Sequence, residues 1–211
     1  MEEDIRKIML ESVGCKAEFM NESRNIEKAT HAIISCFKKG KKVLVFGNGG
    51  SAADAQHIAG ELVGKFKLER KGLPVIALTT DSSILTSISN DVDYSRVFER
   101  QVEALAKEGD VLIGISTSGM SKNIIGALKK GKEIGCVNIS LTGNSGGEVG
   151  QVSEININSP SKNTPRIQEC HILAYHTICE LVEKEMSNFV EKKDVKIIAP
   201  TQDIRNMRDN F

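Results

Sequence analysis

The chain has 211 residues, a length that favours one domain large enough to bury a core without disulfide or metal staples. Its 28 Lys and Arg residues balance 28 Asp and Glu residues, so no global field favours nucleic acid or an anionic membrane as partner. The acidic N-terminus is the wrong chemistry for a signal peptide, and no apolar run approaches the roughly 20 residues that cross a bilayer.

The chain opens with two predicted helices. Apolar residues recur at helical spacing over residues 3–22 and again over residues 26–37, and Lys38-Lys39-Gly40 closes the second helix. Residues 43–46 then form a short apolar run of the kind that is buried in a parallel sheet.

The remaining elements repeat this pattern. Further strands are predicted at residues 73–78, 111–115, 137–141 and 154–157, with helical stretches between them, and a long closing helix from Arg166 to about Met186. The alternation predicts an α/β fold: a three-layer α/β/α sandwich with a five-stranded, mostly parallel sheet, preceded by the two N-terminal helices. We expect residues 1–190 to form a single domain and residues 191–211 a tail whose role stays open.

A glycine-rich segment, Gly47 to Ser51, leaves the first strand and enters a helix. Glycines let the backbone approach a ligand closely, and a helix N-terminus offers free N–H groups to an anion. A tight turn without a ligand explains this segment about equally well. A dinucleotide fingerprint also fits Gly47, Gly49 and Ala52 loosely, but no acidic residue ends a second strand at about the expected 20 positions.

A second loop, Ser116 to Ser121, joins the third strand to the next helix. Four hydroxyls surround Gly119 and make a dense set of hydrogen-bond donors for phosphate oxygens. Simple capping by Ser121 needs only one hydroxyl, so capping alone does not explain the loop. The two loops together predict a monophosphate held at the carboxyl ends of two strands, which a dinucleotide fold does not predict.

Two helices carry candidate metal ligands. His57 and Glu61 stand at i and i+4 on one helix face, where together they can hold one cation. In the last helix, Gln168 and His176 lie about 80° apart around an ideal helix and roughly 12 Å along it. Long side chains, local bending or donation from different subunits would bring them to one metal, and the sequence does not choose among these.

The other polar candidates have simpler interpretations. Asn90-Asp91, after the helical stretch that follows the second strand, fits a loop cap. His31 and His171 have no comparable context and are interpreted as surface or structural residues. The five cysteines are scattered without a C-x-x-C pair, which indicates reduced, mostly buried thiols in a cytoplasmic protein.

These motifs together resemble the phosphoheptose isomerases of the flavodoxin-like sugar isomerase (SIS) fold, over about residues 5–186. The resemblance is carried by Phe46-Gly47-Asn48-Gly49-Gly50-Ser51, Ala53-Asp54-Ala55-Gln56-His57, Gly60-Glu61-Leu62, Ser89-Asn90-Asp91, Gly114-Ile115-Ser116-Thr117-Ser118-Gly119 and Arg166-Ile167-Gln168-Glu169. Two positions depart from the family pattern: Met120 replaces the usual Asn, and Lys65 stands where many members carry Arg.

The resemblance implies a set of site residues. Substrate contacts are implied at Asn48, Gly49, Gly50, Ser51, Glu61, Asn90, Asp91, Ser116, Thr117, Ser118, Ser121 and Gln168. One Zn²⁺ per subunit is implied on His57, Glu61, Gln168 and His176, with Glu61 and His176 as the catalytic acid/base pair. A homotetramer with active sites near its subunit interfaces is also implied.

The implied reaction converts D-sedoheptulose 7-phosphate to D-glycero-D-manno-heptose 7-phosphate through an enediol, the first step toward activated heptose for surface polysaccharide. The alternative is a non-catalytic SIS module that binds a sugar phosphate or a protein partner as a regulator or assembly factor. Such a module is expected to lose the acid/base and ligand residues, whereas this chain retains all four.

Overall fold

The structure, a computed structural model, describes residues 1–191, with side chains described as far as Phe189. Helices and strands alternate along this part of the chain. The tail was predicted to span residues 191–211, and its residues 192–211 lie outside the described part. The elements are α1 (Glu2–Phe19), α2 (Ser23–Lys38), β1 (Val43–Gly47), α3 (Gly50–Val63), β2 (Val75–Ala77), α4 (Ser82–Asp91), α5 (Val97–Leu105), β3 (Val111–Ser116), α6 (Lys122–Ile134), β4 (Val137–Thr142), α7 (Gly147–Gln151), β5 (Ile155–Asn158) and α8 (Thr164–Glu191). Short 3-10 helices occupy Met20–Glu22 and Tyr94–Arg96.

The five strands form one sheet in the order β2-β1-β3-β4-β5, and every described pairing is parallel. The predicted α/β sandwich is therefore confirmed, with a sheet that is parallel throughout. β2 is shorter than predicted because Pro74 precedes it at an edge of the sheet, where Ile76 is 40% exposed. The chain order reverses between β1 and β3, the switch point at which sheets of this order bind ligands.

Alternate residues of each buried strand face opposite helical layers. Val45 of β1 packs toward α2, α3 and α8, where Ile33 and Tyr175 belong to the same core cluster. Phe46 packs toward α5, α6 and α7, and its ring stacks against Phe98 with centroids 5.4 Å apart. Both faces of the sheet are therefore covered. α3 and α8 belong to the same layer and pack against each other.

The two opening helices differ in how far they are covered. α2 buries a full apolar face against the sheet. α1 instead leaves Ile5, Ile8, Met9 and Val13 between 51% and 63% exposed. The sheet therefore leaves an apolar surface on α1 uncovered in a single chain.

The closing helix extends beyond its predicted limits. Its first turn includes Pro165, which a first turn accepts because no intrahelical donor is needed there. It continues to Glu191, past the predicted end near Met186, and Phe189 still packs partly against the core.

The cysteines are unpaired thiols, in agreement with the sequence analysis. Cys36, Cys136, Cys170 and Cys179 are buried, and burial raises the pKa of the Cys36 and Cys136 thiols to about 11. Between residues 1 and 191, no helix is both long and apolar enough to span a membrane.

Candidate active site

The first loop, Gly47 to Ser51, is a tight turn that only glycine fits at two positions. A Cβ on Gly47 would lie 2.6 Å from the Ser51 carbonyl oxygen, and Gly49 has a φ of 55°. Gly50 begins α3, so the N-terminus of this helix opens at the carboxyl end of β1, and the Ser51 and Ala52 N–H groups donate to the Asn48 and Gly49 carbonyls within the turn. A helix N-terminus at the carboxyl end of a buried strand is a position at which proteins commonly bind anions.

The second loop, Ser116 to Ser121, gathers hydroxyls at the end of β3. The Ser116 Oγ lies 2.9 Å from the Ser121 Oγ and 3.5 Å from the Ser118 Oγ. Ser121 occupies the N-cap position of α6, but its hydroxyl makes no capping hydrogen bond. The interpretation of this loop as simple capping is therefore not supported, and the hydroxyls remain grouped at the switch point.

Asn123, in the first turn of α6 directly after the second loop, hydrogen-bonds to Asn48 of the first loop. The sequence analysis did not identify this residue. Its side chain is 3% exposed and exchanges two amide hydrogen bonds with Asn48, of 2.9 and 2.8 Å. The Tyr94 hydroxyl also donates to the Asn48 Oδ1, at 3.0 Å. A polar residue directly before the apolar pair Ile124-Ile125 is the one signal in the sequence, and it does not identify the partner.

His57, Glu61 and His176 converge where α3 packs against α8. Their candidate ligand atoms all lie within 4.8 Å of one another. The His57 Nε2 is 2.9 Å from the Glu61 Oε1 and 3.5 Å from the His176 Nε2. The predicted convergence of these three residues occurs within one chain.

The chemistry of this group fits a bound cation. Two imidazole nitrogens and a carboxylate oxygen, all atom types that ligate divalent cations, lie within 4.8 Å of one another. Burial lowers the pKa of His176, and the neighbouring His57 lowers it further, while Glu61 opposes the shift. The neutral form of His176, which can ligate a metal, is thus favoured.

Gln168 lies farther along the same helix pair. A Cβ on Gly50 would collide with the Gln168 amide nitrogen, so this side chain is packed against the first loop. α3 and α8 therefore meet at two places, Gly50 with Gln168 and His57 with His176. The assignment of Gln168 as a metal ligand stays a prediction.

The remaining predicted residues occupy distinct places. Asn90 and Asp91 end α4, are exposed, and are joined by a 2.8 Å hydrogen bond from the Asn90 amide to the Asp91 carboxylate. His31 is exposed. His171 is fully buried beside the Thr142 carbonyl, and burial lowers its pKa to about 4. The interpretation of both histidines as surface or structural residues agrees with these positions.

The parallel sheet has two Ser/Gly-rich loops at its switch point, and a family model described as SIS domain matches residues 13–143, so the fold is that of a SIS domain. A phosphoheptose isomerase of Aliarcobacter butzleri is 55% identical over 178 residues, covering 84% of this chain and 93% of the relative. One from Clostridium acetobutylicum is 53% identical over 186 residues, covering 87% and 94%. The solved phosphoheptose isomerase of Neisseria gonorrhoeae is 40% identical, with a TM-score of 0.82 over 87% of this chain and 98% of that one. The chain belongs to the phosphoheptose isomerase family.

Proposed function

We propose that this chain converts D-sedoheptulose 7-phosphate to D-glycero-D-manno-heptose 7-phosphate, the first step of activated heptose synthesis for surface polysaccharide. The observation that carries the proposal is the double contact of α3 with α8, which links the first loop to the histidine group. His57 lies seven residues beyond Gly50, about 10 Å along a helix, a span that an extended heptulose phosphate can bridge.

The direct test is incubation of the purified chain with sedoheptulose 7-phosphate, followed by NMR for an aldose 7-phosphate. We expect the ketose signals to decline as aldose signals appear. Binding of the sugar phosphate without turnover would contradict the proposed isomerase activity and favour the alternative, a non-catalytic regulator. That alternative has less support because His57, Glu61 and His176 are retained and converge.

In the proposed reaction a proton moves between adjacent carbons through an enediol, which requires a base and an acid. Glu61 takes the proton from carbon, and its side chain is 22% exposed, open to a substrate. His176 donates a proton to the sugar oxygen. Asp91 is exposed and can share the work of the base if the Glu61 carboxylate is held too tightly.

We further propose that one Zn²⁺ per subunit is held by His57, Glu61, Gln168 and His176. Nitrogen and oxygen ligands without cysteine sulfur suit a catalytic zinc site. When bound, such an ion polarises a carbonyl or orients hydroxyl groups. The grouping of three candidate ligand atoms within 4.8 Å supports this assignment.

Phosphate recognition by the second loop gives a further prediction. The Ser116 and Ser121 hydroxyls lie 2.9 Å apart, so one phosphate oxygen can accept from both. Loss of one hydrogen bond to a charged group costs about 1.5–3 kcal/mol. Ser116→Ala or Ser121→Ala should therefore weaken binding of the sugar phosphate roughly tenfold or more, measured by calorimetry. Unchanged affinity in both variants would remove the loop from the site.

We propose that the chain acts in the cytoplasm as a homotetramer with active sites near the subunit interfaces. The support is the exposed apolar surface of α1, where Met9 and Val13 are each 63% exposed. Light scattering at assay concentration should give a mass about four times that of one chain. Val13→Glu should lower that mass, since a charge buried in an interface is costly and the same charge on a free helix is not. A fully active monomer would refute the proposal.

A further inference from the structure

The Asn48 side chain, in the first loop, is held by two residues from other segments. Asn123 of α6 exchanges two amide hydrogen bonds with it, of 2.9 and 2.8 Å, and the Tyr94 hydroxyl oxygen lies 3.0 Å from the Asn48 Oδ1. Asn123 is 3% exposed, whereas Asn48 is half-buried. Asn48 is therefore the member of the amide pair that a ligand at the first loop can reach.

The Ile124 backbone N–H fixes the orientation of both amides. It lies 3.0 Å from the Asn123 Oδ1, and a donor needs an acceptor, so this atom is the oxygen of the Asn123 amide and not its nitrogen. The Asn123 oxygen then accepts from the Asn48 Nδ2, and the Asn123 Nδ2 donates to the Asn48 oxygen. Reversing both amides would place the Asn123 nitrogen against the Ile124 N–H, two donors in contact.

The Asn48 oxygen receives two donors in this arrangement. One is the Asn123 amide, and the other is the Tyr94 phenol, which must donate because a carbonyl oxygen carries no proton. Both lone pairs of the Asn48 oxygen are thus occupied. The Asn48 Nδ2 carries two N–H groups, and among residues 1–189 a partner is described for only one of them, at Asn123. Asn48 therefore offers a ligand one N–H donor and no acceptor.

We propose that Asn123 and Tyr94 are positioning residues for substrate binding, which occupy the Asn48 oxygen and so present a side-chain N–H of Asn48 to an oxygen of the sugar phosphate. A free amide can turn either its nitrogen or its oxygen toward a ligand, and the oxygen would repel a phosphate. Asn48 stands two residues before the start of α3, where the helix dipole also favours a negatively charged group. The identity of the ligand rests on the proposed function, whereas the orientation of the amide rests on the hydrogen bonds alone.

A double-mutant cycle tests whether Asn123 acts through Asn48, with the affinity for sedoheptulose 7-phosphate measured by calorimetry. Asn123→Leu keeps the approximate shape of the side chain and removes its hydrogen bonds. It should weaken binding about tenfold, the scale of one hydrogen bond to a charged group. In an Asn48→Ala background the same substitution should change the affinity by less than about twofold, because no amide remains to be positioned. In turnover assays the loss should appear in KM more than in kcat.

Tyr94→Phe is a second, milder probe at a residue that is 53% exposed. It removes one of the two donors to the Asn48 oxygen and should give a smaller loss of affinity. This loss should also disappear in the Asn48→Ala background. Because the substitution lies at the surface, it decides the proposal even if Asn123→Leu fails to fold.

Asn138→Leu is the matched control. It makes the same chemical change at an amide that is fully buried and donates to the Leu128 carbonyl, near the amino end of β4 and away from the two loops. It should leave the affinity unchanged even where it lowers the thermal stability.

Equal losses of affinity in the wild-type and Asn48→Ala backgrounds would overturn the proposal, because Asn123 and Tyr94 would then act independently of Asn48. Unchanged affinity in both Asn123→Leu and Tyr94→Phe would overturn it as well. Wild-type chain that binds sedoheptulose 7-phosphate without turning it over would contradict the isomerase. The cycle would still decide the positioning role in that case, since it is measured on affinity.

Discussion

Replacing Glu61 by Gln is expected to lower the turnover of sedoheptulose 7-phosphate by about 10²- to 10⁴-fold, the usual contribution of general acid–base catalysis. The amide keeps the shape of the side chain but cannot take the proton from carbon. The substitution also removes the negative charge of the carboxylate, whose Oε1 lies 2.9 Å from the His57 Nε2. Turnover and zinc per chain, measured on the same sample, separate the two losses.

Two variants make the comparison sharp. Gln168→Ala removes only a neutral proposed ligand and should reduce turnover far less than Glu61→Gln. Glu69→Gln makes the same chemical change on a side chain that is 83% exposed, where it should have little effect. Near-normal turnover in Glu61→Gln would show that Glu61 is not the base and would favour the regulator. Lost activity with zinc still bound would instead show that ligation and proton transfer at Glu61 are separable.

The centre of the sheet could be predicted because β1 and β3 are short apolar runs that end at Gly47 and Ser116. β1 and β3 are buried at every position, so their sequences carry no alternation that a surface strand would show. The edge strand β2 was predicted too long, since the run from Leu73 to Leu78 is apolar beyond the residues that pair with β1. Apolar composition indicates that a segment is buried. The length of a strand depends instead on how many of its residues pair with the neighbouring strand.

Residue spacing alone could group the histidine site only where its residues share one element, and the family resemblance supplied the rest. His57 and Glu61 are one helical turn apart, so spacing alone places them on one face. His176 meets them across two helices, and the sequence offered no measure of that distance. Asn123 was missed for the same reason, because its partner Asn48 lies on a distant segment.

The packing of α8 against the segment after α3 depends on a buried ion pair. Glu183 is 1% exposed and accepts backbone N–H groups of Phe66, Lys67 and Leu68 at 2.6 to 3.0 Å. The Arg70 Nε lies 3.1 Å from the Glu183 Oε1, and the same guanidinium donates to the Glu61 backbone carbonyl. Loss of the carboxylate leaves a buried cation and three N–H groups without their acceptor.

Glu183→Ala should therefore lower the free energy of unfolding by about 3–5 kcal/mol, the usual cost of removing one partner of a buried ion pair. Glu180→Ala, on the same helix, removes a side chain that is 51% exposed and pairs with Lys67, which is typically worth 0–1 kcal/mol. Urea denaturation at one protein concentration measures both losses. Equal losses in the two variants would contradict the importance of the buried pair.

The pH dependence gives a second check on the same pair. Burial raises the pKa of Glu183, but hydrogen bonds from Phe66, Lys67 and Leu68 and the charge of Arg70 outweigh it, so the pKa is lowered overall. A carboxyl whose pKa is lowered by folding stabilises the native state fully above its unfolded pKa of about 4.3. This contribution is lost as the pH falls through the folded pKa. The difference in unfolding free energy between wild type and Glu183→Ala should thus stay constant near neutrality and shrink below about pH 4. A difference that is independent of pH down to the acid transition would show that Glu183 stabilises the chain by packing and not by its charge.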